Sequence, residues 1–418
     1  MFAKALTSIT TILLFSACQL QADVINSRWV GGEWGEWENA DNWEPPIIPH
    51  NTTTEIFNVT VDAGVNEEIS ISILEHHPIN WLNCYGAVDL EMWTDWATIT
   101  FQDPNGLINY GSDTGIDGDC HNEINGNIKN TKGAQLNLTN LEIEGSLINP
   151  EGGKMVVSGV IDTDNGDLLN SGLMLIAPNS EFYVEKHFYN SGKVRIYSGA
   201  CGSDEELENN ISGVIEGSGF LRIDTFLINK GKIYSDNGPL IIGLFEEAVL
   251  PNFSNKGFLG NKPVSSLSIK SLETIETINN FGTIEVNAGG GVAFDCNLVN
   301  EPNAVIKFLG GTLAAKTITQ KADATLNGFG GITGDVVIEP NAVMELIGPT
   351  NIVGNLTIGE GATLDLSNGT VLVTGDLTCN NGIIQIMNVD IIILGKTYGF
   401  CRRDFIDVVG PTANGPNE

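Results

Sequence analysis

The sequence predicts an all-β chain wound as a parallel β-helix with about 20 residues per rung. Three observations carry that prediction. Hydrophobic residues make up 42% of the chain beside 49 Gly, 15 Pro and 44 Asn, the mixture expected of many short strands joined by tight turns. Short segments rich in Val, Ile and Thr alternate apolar and polar residues along most of the length, as half-buried strands do. Finally, such segments end in Asn at a nearly constant interval.

That interval sets the rung. Leu107-Ile-Asn109, Leu147-Ile-Asn149, Leu168-Leu-Asn170, Phe188-Tyr-Asn190 and Leu227-Ile-Asn229 share one pattern, and Asn130, Asn210, Asn255, Asn280 and Asn300 extend it. Successive gaps are 21, 19, 21, 20, 20, 19, 26, 25 and 20 residues, and the two longer ones read as loop insertions. A second marker keeps the same beat at Gly126-Asn-Ile, Gly145-Ser-Leu and Gly166-Asp-Leu. It resumes at Gly334-Asp-Val, Gly354-Asn-Leu and Gly375-Asp-Leu, after the Asn markers fade. The array is thus assigned to residues 98–395. At a strand spacing of ~4.8 Å, about fifteen rungs give a rod roughly 70 Å long.

Within a unit, Lys193-Val-Arg-Ile-Tyr197 illustrates the first strand, Glu181-Phe-Tyr-Val-Glu185 or Leu221-Arg-Ile-Asp224 the second, and Leu227-Ile228 a very short third. Inward Val, Ile, Leu and Phe would stack into a continuous core while neighbouring rungs satisfy the backbone. Asn suits a repeated corner because it tolerates left-handed φ and its amide can bond to the same Asn above and below. A leucine-rich repeat would need a fixed LxxLxLxxN frame, which the units lack. A β-sandwich would not explain the period.

The Asn ladder and apolar rungs resemble right-handed parallel β-helix proteins, a group that includes pectin-degrading enzymes and the passenger regions of bacterial surface proteins. Gly331-Ile-Thr-Gly-Asp-Val-Val-Ile, Ile352-Val-Gly-Asn-Leu-Thr-Ile and Gly361-Ala-Thr-Leu are particularly similar to autotransporter-passenger repeats. The resemblance implies a secreted bacterial solenoid. It is specific for fold and weak for function, because this scaffold carries enzymes and inert fibres alike.

All seven Trp fall between residues 29 and 96, which marks residues 23–97 as a separate N-terminal cap. Its opening, with Trp29, Trp34, Trp37, Asp41-Asn-Trp43 and Pro49, is similar to the Trp-rich segment ahead of β-solenoids in large secreted bacterial proteins. An open β-helix end exposes strand edges and core, so something must cover it, and large aromatics do so with few residues. The functional alternative is a sugar-binding platform on Trp29, Trp34, Trp37 and Trp43.

Residues 1–22 read as an export signal. Lys4 precedes thirteen uncharged residues, Ala5 to Ala17, too few to span a bilayer. Cleavage after Ala22 competes with lipid attachment at Cys18, where Phe15-Ser-Ala-Cys18 resembles a lipobox. No later segment has the length of a transmembrane helix, so the product is expected to be secreted or at the cell surface. Residues 396–418 are assigned to a C-terminal cap and tail. A net charge of −32 argues against nucleic acid and anionic membranes as partners and leaves extracellular polysaccharide or cell-surface components. Cysteines at 84, 120, 201, 296, 379 and 401 show no zinc spacing. Proximity points to Cys84–Cys120 and Cys379–Cys401 as pairs, and buried free thiols are the alternative.

Chemistry is sparse. Enzymes of the group that cleave polygalacturonan use clustered Asp with Gly-His-Gly and Arg-Ile-Lys elements, which this chain lacks. The best residual constellation is one strand face with Glu181, Tyr183, Glu185 and His187 outward, and Arg222 and Asp224 two rungs on. Paired carboxylates with a His suit acid–base work, which makes Glu181, Glu185, His187 and Arg222 the catalytic candidates. No cofactor is expected. Ca²⁺ is the one ion the acidic turns at Asp113–Asp119 and Asp162–Asp167 would suit. A non-enzymatic adhesive or structural solenoid is the leading expectation, and a carbohydrate binder or a diverged lyase or hydrolase is the alternative.

Overall fold

The computed structural model describes residues 22–64, 67–94, 96–118, 122–244, 252–271 and 276–405. The proposed signal segment with Cys18, and Asp119, Cys120 and the tail after residue 405, lie outside them. The described chain is a parallel β-solenoid of about 16 turns, 69% strand and 1% helix. One rung shows the plan. The strand Lys193–Ser203 forms a first face to Tyr197, breaks register at Tyr197/Gly199, and continues as a second face from Ala200. A corner at Asp204-Glu205 leads to the third face, Glu206–Asn209. Inward side chains such as Val194, Ile196, Cys201 and Leu207 are buried and join one core cluster running the length of the coil.

The third face carries the asparagine ladder. Buried Asn109, Asn130, Asn149, Asn170, Asn190, Asn209, Asn229, Asn255, Asn280 and Asn300 each donate from Nδ2 to the Oδ1 of the next, over 2.7–3.0 Å, and Asn300 donates to Gln320. Two details differ from the sequence expectation. The sixth asparagine of the ladder is Asn209, not Asn210, whose Nδ2 turns outward to Ser191 Oγ at 3.2 Å. In addition, none of the ladder asparagines has a positive φ. That conformation belongs to another set at other corners, including Asn140, Asn165, Asn179, Asn237 and Asn368. Two jobs ascribed to one Asn are therefore split between two. Past Gln320 the ladder position is taken by Ile338, Ile358 and Cys379, which is why the Asn marker fades while the coil continues.

The coil also extends beyond its expected limits. Asp23–Trp29 pairs in parallel with Glu55–Asp62, which pairs with Trp81–Tyr85, which pairs with Leu107–Asn109. Residues 23–97 thus already supply rungs, with Val61 and Cys84 at the ladder position. At the other end Thr397–Phe405 pairs with Leu377–Ile393. The Trp residues pack at the N-terminal end: Trp29 and Trp37 contact Trp43 edge-on, with centroids 5.1 and 4.7 Å apart. Trp43–Glu44 pairs antiparallel to Arg28–Trp29, covering part of the first strand's edge.

Cys379 and Cys401 form a disulfide, joining the last described strand to the rung before it. Cys84, Cys201 and Cys296 are buried, and burial pushes the first two thiols up to about 12 and the third to about 11, as for small core groups. Because stability in a solenoid is set between neighbouring rungs, reducing Cys379–Cys401 should loosen one end only. Hydrogen exchange is expected to accelerate in Thr397–Phe405 and to stay unchanged before residue 373. Acceleration spread along the coil would contradict nearest-neighbour coupling.

Candidate functional site

The second face gathers most of the candidate residues. In Glu181–Val184, Phe182 and Val184 are buried while Glu181 is exposed and Tyr183 half-buried. Parallel register then aligns Glu123, Glu142, Asp162, Tyr183, Gly202 and Arg222 in one outward column. Beside it, Glu144 and Asp164 begin a second column, which Glu185, Asp204 and Asp224 extend in the corner. Stacked carboxylates only a rung apart repel, and burial adds to that. Glu142, Asp162 and Asp204 have their carboxyls pushed up, each first by desolvation and then by Asp164 or Asp224. Asn125, with its amide oriented to donate, bridges Glu123 Oε1 and Glu144 Oε2 at 2.7 Å each. Among the described residues no three His, Cys, Asp or Glu side chains converge as metal ligands.

Arg222 lies on this face but is committed within it. Its Nε and Nη2 donate to Asp224 at 2.9 and 2.7 Å, and its guanidinium lies 5.5 Å from the Tyr183 ring centroid. Glu185 accepts the Asn165 N–H at 2.5 Å. His187 sits past the corner, with Nδ1 3.0 Å from Asp167 Oδ1 and Nε2 3.4 Å from Glu205 Oε2. Glu181 alone borders a concavity, an open groove of about 620 Å³ whose lining includes Asn179, Ser198, Ser218, Phe220, Asn237 and Pro239. Part of its wall is an insertion in the rung of the first long Asn gap: the one residue between Gly217 and Gly219 faces four between Ser235 and Leu240. The structure therefore keeps Glu181 and Arg222 on one face, puts Glu185 in the corner and His187 on the next face, and leaves Glu181 at a groove that none of the other three lines.

The first face holds an ion cluster that the sequence reading did not single out. Glu216 is 1% exposed. Lys193 Nζ and Arg195 Nε donate to its Oε1 at 2.7 Å each, and the Tyr234 hydroxyl donates to Oε2. Burial pushes this carboxyl up, but the hydrogen bonds from Lys193, Tyr234 and Arg195 outweigh it and hold it at about 2. Twenty-residue spacing places Arg195 and Glu216 one rung apart, which was the available signal.

Of the Trp candidates, Trp29, Trp37 and Trp43 are buried, and each indole N–H is used internally, donating to Gly32 O, Pro49 O and Trp37 O. Trp34 is 64% exposed. Two further rings that sequence reasoning placed in the cap but not on the sugar platform, Trp93 and Trp96, are 62% and 79% exposed. Their signal is the polar corner Trp93-Thr-Asp-Trp96, which interrupts the apolar alternation. No family model, curated protein or solved structure matches the chain.

Proposed function

We propose that this chain is a non-enzymatic β-solenoid with an adhesive or structural role, exported to the cell surface or beyond by its N-terminal segment. The observation that carries the reading is the commitment of the candidate groups. Arg222, Glu185 and His187 spend their polar atoms on partners in their own or adjacent rungs, while the acid–base pair of a glycosidase needs two carboxyls facing one bond. The continuous ladder and core support a stiff rod whose outward faces are free to vary. A glycan-binding alternative is favoured by Trp34, whose ring remains open to solvent. The test is incubation with acidic and neutral polysaccharides, following bound protein together with new reducing or unsaturated ends. Binding without new ends is expected. Cleavage that Glu181→Gln abolishes would overturn the proposal.

A further inference from the structure

We propose that Trp93 and the groove beside it form a binding site for a neutral glycan, with the Trp93 ring as the stacking surface. The inference rests on the adhesive reading and names its ligand class. Leaving the Trp93 indole 62% exposed forfeits the stabilisation that burial would return, and the same chain buries three other Trp at its N-terminal end. Thr94, next to Trp93 in the chain, is nonetheless held from both sides. Thr94 Oγ1 donates to Leu74 O at 2.9 Å on the preceding rung. From the following rung, buried Asn122 donates through Nδ2 to Thr94 O at 2.6 Å and Ala97 O at 3.3 Å. Trp93 Nε1 donates to Glu91 Oε2 at 2.8 Å, which fixes the ring relative to the strand. An exposed ring held in this way is preorganised and loses little entropy on binding.

Beside the ring lies an open groove of about 270 Å³, lined by Glu91, Trp93, Asp117, Gly118, Thr139 and Asn140. Glu91, Asp117 and Thr139 are register neighbours on three successive rungs, so the groove runs along the coil for two strand spacings, ~10 Å, the length of a disaccharide. Only glycine fits at position 118 of its lining: a Cβ there would lie 2.6 Å from Asn140 O and 2.7 Å from Leu141 Cδ2 on the next rung. An indole face presents apolar surface to the C–H face of a pyranose, and carboxylates accept hydrogen bonds from sugar hydroxyls. The same carboxylates select against charge. Glu91 and Asp117, with Asp89 and Asp113 on the same strands, repel uronates and sulfates, so the ligand is neutral.

The test titrates the intact protein with cello-, xylo-, manno- and malto-tetraose, and with tetragalacturonate and a heparin tetrasaccharide, by calorimetry and Trp fluorescence. At least one neutral sugar is expected to bind, Trp93→Ala to weaken it about tenfold or more, and Phe281→Ala, which removes an exposed ring elsewhere on the coil, to leave it unchanged. The thermal midpoint of Trp93→Ala should match wild type because the ring is exposed. Failure of every neutral sugar, binding unaffected by Trp93→Ala, or Trp93-dependent binding of the anionic sugars would each overturn the site. Retained adhesion to polysaccharide by Trp93→Ala would sink this site while leaving the adhesive reading intact. Depolymerisation would sink that reading instead.

Discussion

Alanine at Asn209 will destabilise the coil by about 3 kcal/mol, whereas alanine at the neighbouring Asn210 will cost about 0.5 kcal/mol or less. The adjacent pair provides an internal control, with the same residue type and nearly the same place in the chain. Asn209 is buried, accepts from Asn190 Nδ2 at 2.8 Å, and donates to Asn229 Oδ1 at 2.8 Å and Lys232 O at 3.2 Å. Truncating it strands a donor above and acceptors below where water cannot reach, at about 1–3 kcal/mol for each unsatisfied group. Asn210 loses only a partly exposed contact with Ser191. Denaturant titration of both variants reads the contrast, and hydrogen exchange should show the Asn209→Ala loss centred on His187–Asn190 and Phe226–Asn229. Equal effects at the two positions would mean that side-chain stacking does not hold the third face together.

The same pair shows what the sequence could and could not reveal. Periodicity was legible because parallel rungs must keep backbone register, so a corner residue recurs wherever the path repeats. Which of two consecutive asparagines pointed inward was not, because both fit a spacing of 19–21 residues. The N-terminal rungs were hidden for a related reason: Val61 and Cys84 fill the ladder position there and carry no marker, so the Trp-rich composition suggested a separate cap. Cys379–Cys401 was legible because a separation of 22 residues is about one rung, which brings two thiols within bonding reach. At the candidate site, alternation placed Glu181 and Tyr183 outward. The engagements of His187 with Asp167 and of Glu185 with Asn165, each 20 residues away, depend on the adjacent rung, and local pattern does not report it. The hold on Thr94, beside Trp93, likewise depends on Leu74 and Asn122 from the rungs on either side.

Stability is expected to peak in mildly acidic solution and then fall, with Glu216 responsible for much of the fall. Carboxyls raised in the folded state, Glu142, Asp162 and Asp204, together with Asp89 at about 6, bind protons more readily folded than unfolded. Lowering the pH from neutrality through their folded values therefore adds stability. Glu216 has the opposite sign. Its folded value is about 2 against an ordinary 4.5, so its contribution is complete above 4.5 and is lost as the pH falls from 4.5 toward 2. Glu216→Gln removes that contribution, so the difference between variant and wild type should be largest at pH 6–7 and shrink steadily below pH 4.5. At neutral pH, Arg195→Met leaves the buried carboxylate with Lys193 and the Tyr234 hydroxyl. Removing one partner of a buried pair costs ~3–5 kcal/mol; the remaining lysine should hold the loss to about 2 kcal/mol. Chemical denaturation of both variants between pH 2 and pH 8 reads both effects. A Glu216→Gln difference that persists undiminished at pH 2 would show that this residue acts through its shape and not its charge.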